Sequence, residues 1–465
     1  MSKLGRSNKA SEFFRGLKGK RIAVCGVGKN NIPIIYQLLL HGAVVTGCDK
    51  RTREQLGNIA DELEAAGASL CLGDGYLDSL TETGWDMILR TPGMKPYLPQ
   101  FEKARRRGIT VTSEMEMFFS LCPAHITAVT GSDGKTTTTT IIAGLLEAAG
   151  FRVHLGGNIG RPLLPVVEDI ESEDRVVVEL SSFQLTGMKQ SPQTAVITNI
   201  APNHLDWHTD MQEYIDAKKN LIAWQDSSDI SVLNADNEYT ASFSTTTQGK
   251  RLMFSRKSKP ECGAWLSNDG ILTLTQKGVD TPVIAADEIR LPGVHNIENY
   301  LAAISAVWGK VPPEIIADYA RSFGGVPHRC ELVRELNGVK WYNDSIGSSP
   351  SRTIAGLEAF HRKVILIAGG YDKHIPYDPL GPAAAKTVKE AILLGATANA
   401  IEAVIRKNSK LPVHRVSSME EAVLTARKIA QGGDIVFMSP ASASFDLYAN
   451  FEERGDHFKR LVMAL

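Results

Sequence analysis

Residues 125–149 read HITAVTGSDGKTTTTTIIAGLLEAA, and they combine an apolar run, a glycine-containing loop and a helical stretch. The run Ile126–Val129 predicts a buried parallel strand, and Thr136–Ala149 predicts the helix that follows it. Between them, Gly131-Ser-Asp-Gly-Lys-Thr-Thr137 carries the glycines, lysine and hydroxyls of a phosphate-binding loop. A strand, a loop of this kind and a helix in this order predict an α/β domain that binds a nucleotide.

The residues of this loop each suit contact with phosphate. Gly131 and Gly134 let backbone N–H groups approach the phosphates, and the start of the helix adds a favourable dipole. Lys135 supplies a positive charge for the β- and γ-phosphate oxygens, and the Thr136 hydroxyl reaches Mg²⁺. The first glycine of the general eight-residue pattern is absent from this sequence. The loop residues expected to contact ATP are Gly131, Ser132, Asp133, Gly134, Lys135, Thr136 and Thr137.

Composition favours a multidomain protein that acts on a small molecule. The chain has 465 residues, and 43% of them are apolar, so every domain can bury a core. With Lys+Arg 51 and Asp+Glu 52, the balanced charge gives no electrostatic footprint for nucleic acid or anionic membrane. The six cysteines form no C-x-x-C pair, the polar N-terminus lacks a secretory signal, and no apolar run approaches the ~18 residues of a membrane span. We therefore expect a cytoplasmic protein without a nucleic-acid or membrane partner. A monomeric state is a further expectation, which the composition does not itself establish.

Short apolar runs alternate with helical patterns along the chain, which predicts α/β architecture with parallel sheets. We predict three domains: a Rossmann-like domain over residues 1–112, a central P-loop ATPase domain over 113–325, and a Rossmann-like domain over 326–465. Short strands with Gly and Asn turns in 231–290 predict a small β appendage on the central domain. The main predicted strands are Arg21–Cys25, Ala43–Cys48, Ser69–Leu72, Asp86–Leu89, Ile109–Val111, Arg175–Leu180, Thr194–Thr198, Val364–Ala368, Ala391–Leu394 and Ile435–Met438.

Acidic and histidine side chains follow the strands beyond the phosphate loop. Glu179 lies at the end of Arg175–Leu180, and ligands bind at the carboxyl ends of parallel strands, so Glu179 is a candidate Mg²⁺ ligand. His204 and His208 have the H-x-x-x-H spacing of zinc ligands, but no third soft ligand is placed near them in the sequence. Lys218, on the next predicted helix, indicates by itself only a solvated charge.

The first predicted strand is followed by a second glycine-containing turn. Gly26-x-Gly28, with Asp49 at the end of the next strand, resembles a dinucleotide fingerprint, although Asn31 occupies the position of the third glycine. NAD binding is therefore an alternative function for this domain.

Ten stretches occur in the order in which they occur in the Mur ligase family, and together they resemble that family from about residue 20 to residue 465. They are Gly131–Thr137, Gly156–Gly160, Glu179–Gln184, Asn203–Asp206, Tyr214–Lys218, Leu291–Asn296, Pro327–Arg329, Asn343–Ser345, Gly369–Lys373 and Ser439–Gly455.

The resemblance implies an ATP-dependent amide ligase of peptidoglycan precursor synthesis that adds D-glutamate to UDP-N-acetylmuramoyl-L-alanine. ATP would convert the L-alanyl carboxylate into an acyl phosphate, and the amine of D-glutamate would attack it through a tetrahedral intermediate, giving ADP and phosphate. The family also implies two Mg²⁺ ions near Thr136, Glu179, His204 and Lys218, with Lys218 carried as a carbamate. The catalytic residues that it implies are Lys135, Glu179, His204, Lys218 and Arg329.

Further contacts follow only from the resemblance. Those implied for ATP beyond the loop are Asn296, Asn299, Arg329 and Asp344. Those implied for the UDP-linked substrate are Gly28, Asp49, Arg51, Gly93, Asn158 and Ser181. Those implied for D-glutamate are Ser348, Lys373, Ser444 and Phe451.

Two positions depart from the family pattern. Many relatives have Asn in place of Asp133, and many have Lys in place of Ile346, which weakens the expectation for Ser348. Two other functions also use a phosphate loop: a small-molecule kinase, and a nucleotide-binding regulator without catalysis. The requirement of phosphate release for an amine acceptor separates a ligase from a kinase.

Overall fold

The structure is a computed structural model that describes residues 9–82, 84–204, 207–291, 293–360, 362–373 and 375–465. These residues form two compact units. The first comprises the chain up to Glu288 together with His295–Tyr319, and the second comprises Ile289–Val294 together with Ala320–Leu465.

The first unit begins with a parallel sheet of five strands. They are β1 (Arg21–Cys25), β2 (Val44–Asp49), β3 (Ser69–Leu72), β4 (Met87–Arg90) and β5 (Thr110–Ser113), in the order β3-β2-β1-β4-β5. The accompanying helices are α1 (Lys9–Arg15), α2 (Ile32–Leu40), α3 (Arg53–Leu56), α4 (Asn58–Ala65), α5 (Pro99–Arg106) and α6 (Glu114–Leu121). The carboxyl ends of β1, β2 and β4 place the turns after Cys25, Asp49 and Arg90 at one edge of the sheet.

The second sheet of this unit has six parallel strands and carries the phosphate loop. They are β6 (His125–Thr130), β7 (Val153–Gly157), β8 (Arg175–Glu179), β9 (Thr194–Ile197), β10 (Ile230–Asn234) and β11 (Lys250–Phe254), in the order β11-β10-β9-β6-β8-β7. Its helices are α7 (Lys135–Ala148), α8 (Ser182–Leu185), α9 (Met211–Ala223) and α10 (Glu238–Phe243). The central strands β6, β8 and β9 are buried almost throughout, as expected for a parallel sheet covered on both faces.

A small antiparallel sheet follows, formed by β12 (Gly263–Leu266), β13 (Ile271–Gln276) and β14 (Val279–Ala285). It is the β appendage that the sequence predicts in 231–290, but it is smaller than predicted, because β10 and β11 of that range belong to the parallel sheet. Two helices come next, α11 (Val294–Val307) and α12 (Pro313–Ser322).

One apolar core joins the two parallel sheets of the first unit. It includes Val24 and Leu38 from the first sheet and its helix α2, Phe118 from α6, and Ile126 and Val178 from the second sheet. Burial of apolar side chains contributes roughly 25 cal/mol for each Å² removed from water, so this shared core fixes the sheets to each other. Loops from the carboxyl edge of β4 and from the second sheet are therefore held in a defined relation.

The second unit contains a mixed six-stranded sheet. Its strands are β15 (Glu331–Leu336), β16 (Val339–Asn343), β17 (Val364–Ala368), β18 (Val388–Leu393), β19 (Val413–Arg415) and β20 (Ile435–Met438), in the order β15-β16-β20-β17-β18-β19. Only β15 pairs antiparallel with its neighbour. The helices are α13 (Pro350–Glu358), α14 (Leu380–Thr387), α15 (Ala398–Asn408), α16 (Met419–Ile429) and α17 (Phe451–Ala464).

The predicted fold class, α/β with parallel sheets and a β appendage, is confirmed, whereas the domain limits at 112 and 325 stay a prediction. The hairpin of β15 and β16 was not predicted, although Asn337-Gly338 is a strong two-residue turn signal. Both residues have positive φ, 53° and 75°, as such turns require. Among the described residues, no helix combines the length and apolar character needed to cross a membrane.

Candidate active site

The phosphate loop connects β6 to α7, and its shape depends on two glycines. Gly134 has φ 76° at the start of α7, a left-handed conformation that favours glycine. A Cβ at Gly134 would lie 2.4 Å from Oδ1 of Asn299, and a Cβ at Gly131 would lie 1.8 Å from Oγ1 of Thr198. Side chains are thus excluded where the backbone must stay accessible to phosphate.

Hydrogen bonds tie the loop to the residues that follow β9. The backbone N–H of Asp133 donates to Oδ1 of Asn199 at 2.9 Å, and Oγ1 of Thr198 donates to the Asp133 carbonyl at 2.6 Å. The Ser132 hydroxyl donates to the carbonyl of Ala201 at 2.9 Å. The residues after β9 therefore hold the loop in place. The Asp133 side chain is exposed, and the hydrogen bonds to Asn199 and Thr198 are made by the Asp133 backbone.

Lys135 lies at the first position of α7, as the loop pattern predicts. Its Nζ donates to the carbonyl oxygens of Gly131 and Ser132 at 2.9 and 2.8 Å. The ammonium group is thus held over the loop itself, where phosphate oxygens of a nucleotide would attract it.

The two predicted oxygen ligands of Mg²⁺ are in direct contact. Oγ1 of Thr136 donates to Oε2 of Glu179 at 2.6 Å, and Nδ2 of Asn158 donates to Oε1 at 2.7 Å. Glu179 is buried at the carboxyl end of β8, which pairs with the strand that leads into the phosphate loop. A hydroxyl and a carboxylate are hard oxygen donors, and the pair therefore fits Mg²⁺.

Lys218 is buried beside the phosphate loop, with 1% of its surface exposed. The interpretation of this residue as a solvated charge is therefore wrong. Its Nζ donates to the Gly131 carbonyl at 2.7 Å and lies 4.6 Å from the centre of the Tyr214 ring. Burial lowers the pKa of Lys218 well below its usual value, and the positive charge of Lys135 lowers this pKa further.

His204 and His208 have different surroundings. His204 is exposed, has φ 54°, and stacks edge-on against Phe183 at 5.0 Å. His208 is buried, and its Nε2 lies 2.9 Å from the Ser182 hydroxyl. No cluster of three or more His, Cys, Asp or Glu side chains suited to a metal occurs within the described ranges. Asp206, which belongs to one of the family stretches, lies outside the described residues.

Asn296 and Asn299 lie on α11 and reach the start of α7. Oδ1 of Asn299 accepts a hydrogen bond from Oγ1 of Thr138 at 3.1 Å, and Nδ2 of Asn299 donates to Oδ1 of Asn296 at 3.0 Å. The structure therefore brings these two predicted ATP contacts to the helix that follows the phosphate loop. Thr137 is part-buried in the first turn of the same helix.

The residues predicted for the UDP moiety lie at the carboxyl edge of the first sheet. Asp49 accepts the backbone N–H of Val27 at 2.7 Å, and both of its oxygens accept the Arg51 guanidinium at 3.0 and 2.8 Å. Burial raises the pKa of Asp49, but the hydrogen bonds from Arg51 and Val27 outweigh it and lower this pKa to about 2. The turn at Gly28 and the loop at Gly93 leave open space where a Cβ would point.

Ser181 has a structural contact of its own. Its hydroxyl caps α8 by accepting the backbone N–H of Gln184, and the Gln184 side chain accepts the Ser181 backbone N–H in return.

In the second unit, Arg329 and Asp344 are electrostatically coupled. Burial raises the pKa of Asp344 to about 6, opposed by the hydrogen bond from Ser439 and by the charge of Arg329. Oδ1 of Asp344 accepts the backbone N–H of Cys330 at 3.2 Å, and Nε of Arg329 is buried and has no hydrogen-bond partner among the described residues. A guanidinium with an unused donor is suited to a phosphate or carboxylate ligand.

The residues predicted for D-glutamate also lie in this unit. Nζ of Lys373 is 3.5 Å from the Ser348 hydroxyl, so these two are brought together. Ser444 is buried in the segment before α17, and Phe451 begins α17 with its ring 6.0 Å from that of His328.

Comparison with known proteins assigns the family. Residues 129–307 match the Mur ligase middle domain, and residues 328–442 match the Mur ligase glutamate ligase domain. The UDP-N-acetylmuramoylalanine--D-glutamate ligase of Acetivibrio thermocellus is 49% identical over 466 residues, covering 99% of each chain. That of Ruminiclostridium cellulolyticum is 50% identical over 463 residues, covering 98% of this chain and 99% of the relative. The chain belongs to the Mur ligase family.

Solved structures of other Mur ligases share the fold. A UDP-N-acetylmuramate-alanine ligase from Thermotoga maritima has a TM-score of 0.55 at 16% identity, covering 96% of this chain and 99% of that one. A MurF ligase from Thermotoga maritima in complex with ADP has a TM-score of 0.54 at 17% identity, covering 97% of both chains.

An arginine lies close to Ile346, the position at which the family resemblance implies a lysine in many relatives. Nη1 of Arg352 donates to the Ile346 carbonyl at 3.3 Å. Burial lowers the pKa of Arg352, and so does the positive charge of Arg329. A cationic side chain therefore contacts the backbone at position 346, where the side chain itself is apolar.

Sequence reasoning missed a buried arginine that shapes the second unit. Nε of Arg454 donates to the Ser345 hydroxyl at 3.0 Å, and its Nη1 donates to the carbonyl oxygens of Ser442 and Ala443 at 3.1 and 2.9 Å. Arg454 thereby connects the loop that leads to Ser348 with the segment that contains Ser444. A signal existed, because a cation in the first turn of a helix opposes the helix dipole and so needs another partner.

Proposed function

We propose that this Mur ligase joins D-glutamate to UDP-N-acetylmuramoyl-L-alanine while ATP is cleaved to ADP and phosphate. The observation that carries the proposal is the arrangement at the carboxyl edge of the second sheet. There the buried Lys218 contacts the phosphate loop at Gly131, and Thr136, in the first turn of the helix that follows the loop, contacts Glu179. The names of relatives at about half identity over nearly the full chain supply the substrate.

Activation of a carboxylate is the step for which this constellation is suited. The L-alanyl carboxylate oxygen attacks the γ-phosphorus of ATP, the bond to the β–γ bridging oxygen breaks, and ADP leaves. Lys135 and the N–H groups of the phosphate loop stabilise the negative charge on the transferring phosphoryl group. The amine of D-glutamate then adds to the acyl carbon and loses a proton, and the tetrahedral adduct expels phosphate to leave the amide.

Magnesium is proposed to bind at Thr136 and Glu179, with His204 and Lys218 as further ligands. When bound, Mg²⁺ neutralises charge on the phosphate oxygens. Glu179 is prepared for this role, because Asn158 fixes one of its oxygens while the Thr136 hydroxyl fixes the other.

Lys218 is proposed to act as a carbamate. Its nitrogen attacks the carbon of CO₂ and releases a proton to water, which converts a cation into an anionic oxygen ligand. Burial supports this change, because it disfavours the charged ammonium form of the side chain. The negative charge of a carbamate would be offset by the positive charge of Mg²⁺ when the metal is bound.

The remaining contacts are proposed from the family resemblance. ATP is proposed to contact the phosphate-loop residues together with Asn296, Asn299, Arg329 and Asp344, and Arg329 is proposed to neutralise phosphate charge. The UDP-linked substrate is proposed to contact Gly28, Asp49, Arg51, Gly93, Asn158 and Ser181. D-glutamate is proposed to contact Ser348, Lys373, Ser444 and Phe451. A monomeric state and a cytoplasmic location are proposed from the sequence alone.

One assay tests the function against its alternatives. The enzyme is supplied with ATP, Mg²⁺ and UDP-N-acetylmuramoyl-L-alanine, the amino acid is varied, and released phosphate is measured. The proposal predicts sustained phosphate release only with D-glutamate, and loss of release in Lys135→Ala. Release of a phosphorylated product without an amine would identify a kinase, and release of neither would favour a regulator.

A further inference from the structure

Two segments of the first unit meet at Glu213. One is the loop from Thr91 to Tyr97, which follows β4, and the other runs from Trp207 into the first turn of α9. The Glu213 carboxylate accepts the Tyr97 hydroxyl, and Nζ of Lys95 lies 3.4 Å from its Oε2. The same carboxylate accepts the backbone N–H and the hydroxyl of Thr209 at 2.5 and 3.0 Å.

Trp207 makes a second connection between these segments. Its Nε1 donates to the Gly93 carbonyl at 3.1 Å, and Nζ of Lys95 lies 5.1 Å from the centre of its ring. The Trp207 ring also lies 4.6 Å from the ring of Phe183 on α8. Trp207 therefore packs against α8 while its indole N–H holds the backbone of the loop at Gly93.

Within the loop the Met94 N–H donates to the Thr91 carbonyl at 3.0 Å, and Arg105 donates to the Pro96 carbonyl at 2.6 Å, so the contacts with Trp207 and Glu213 add to these. An irregular surface loop has many accessible conformations, and ordering each residue costs about 1–2 kcal/mol. Arg90 anchors the start of the loop by donating to the Thr186 carbonyl at 2.9 Å. Beyond Arg90, contacts with Trp207 and Glu213 hold Gly93, Lys95 and Tyr97.

We propose that Lys95, Tyr97, Trp207 and Glu213 form a clamp that holds the loop 91–97 in the conformation that receives the UDP-linked substrate. This inference rests on the proposed function, in which Gly93 contacts that substrate. The four are positioning residues, because they act through the loop backbone. When only part of a population has the binding conformation, the apparent dissociation constant rises by the inverse of that fraction.

The clamp predicts an effect on one substrate only. The phosphate loop is held by hydrogen bonds to Asn199 and Ala201, and the Ser132 hydroxyl also contacts the Tyr214 hydroxyl; none of these bonds uses a side chain of the clamp. Loss of the clamp should therefore raise the KM for UDP-N-acetylmuramoyl-L-alanine and leave the KM for ATP unchanged. A structural role alone would lower stability and affect both substrates.

The test compares Tyr97→Phe, Glu213→Gln and the double variant with the wild-type enzyme. Tyr97 is 47% exposed, so its variant should fold. Lys259→Gln is the matched control, because it breaks an exposed 2.6 Å ion pair with Asp280 in the small antiparallel sheet. Both KM values are measured, and binding of UDP-N-acetylmuramoyl-L-alanine without ATP is measured by calorimetry.

We expect each single variant to raise the KM and the dissociation constant for the UDP-linked substrate about tenfold, with the KM for ATP within about twofold of wild type. The losses in the double variant should be less than multiplicative, since both changes affect the contact between Tyr97 and Glu213, while Glu213→Gln also weakens the contacts of Glu213 with Lys95 and Thr209. The clamp is overturned if the KM values of the variants equal those of the Lys259→Gln control, or if the KM values for ATP and for the UDP-linked substrate rise equally. Either result leaves the ligase function standing. A wild-type enzyme that neither binds nor uses the UDP-linked substrate overturns the proposed function and the clamp together.

Discussion

Replacing Gly134 by alanine should weaken ATP binding strongly, because this residue combines two constraints. At φ 76°, a residue with a Cβ is strained by roughly 1–2 kcal/mol. The new Cβ would also lie 2.4 Å from Oδ1 of Asn299, so Asn299 must move and its hydrogen bond with Thr138 is lost, which costs about 1 kcal/mol. The sum is roughly 2–3 kcal/mol.

This strain becomes a loss of affinity if the loop relaxes in the free enzyme and ATP must restore its shape. A cost of that size corresponds to a roughly 30- to 150-fold increase in the dissociation constant. Calorimetric titration with Mg²⁺ and a non-hydrolysable ATP analogue measures it directly.

Gly150, just beyond the other end of the same helix, supplies the control. It also has positive φ, 89°, but a Cβ there would meet nothing within 4 Å. Gly150→Ala should therefore destabilise the fold modestly and leave ATP affinity unchanged. Equal ATP affinities for Gly134→Ala and wild type, or equal losses in both variants, would refute the reasoning.

Two further predictions concern charged groups that the fold buries. Lys218→Ala should lower turnover by about 100-fold or more, with partial rescue by short carboxylates. Lys219→Ala, on the same helix, should keep turnover within about twofold of wild type. Turnover that neither substitution changes would exclude the carbamate. Asp344 has its pKa raised to about 6, so its folded form retains a proton that the unfolded chain has lost. Wild-type stability should therefore fall as pH rises from about 4 through about 6, by up to roughly 3 kcal/mol, and denaturation of Asp344→Asn at pH 5 and 8 should lack this dependence. The same pH dependence of the free energy of unfolding in Asp344→Asn would show that the Asp344 carboxyl is not its cause.

The phosphate loop was predictable because its information is local. The combination of glycines, lysine and hydroxyls within Gly131–Thr137 is specific to a phosphate-binding turn. The flanking strand and helix follow from the spacing of apolar residues. The contact of Thr136 with Glu179 was also predictable, since Thr136 follows β6 through the phosphate loop and Glu179 ends β8, the neighbouring strand of the same parallel sheet.

Other features depend on tertiary packing and were not visible. Lys218 has the sequence context of a surface lysine, and only the packing of α9 against β6 and β9 makes it buried. Tyr97 and Glu213 are separated by 116 residues, so no local pattern joins them. The hairpin at Asn337-Gly338 is a different case, because its turn signal was present but its strands are short and mixed in polarity.

Oxygen transfer tests most directly whether this Mur ligase activates a carboxylate as an acyl phosphate. The enzyme is given ATP, Mg²⁺, D-glutamate and UDP-N-acetylmuramoyl-L-alanine with ¹⁸O in the L-alanyl carboxylate, and the released phosphate is examined by mass spectrometry. Each phosphate should carry one ¹⁸O atom, because the oxygen that attacked phosphorus leaves with the phosphate when the amine displaces it. Phosphate free of ¹⁸O, formed while the amide product accumulates, would contradict the account.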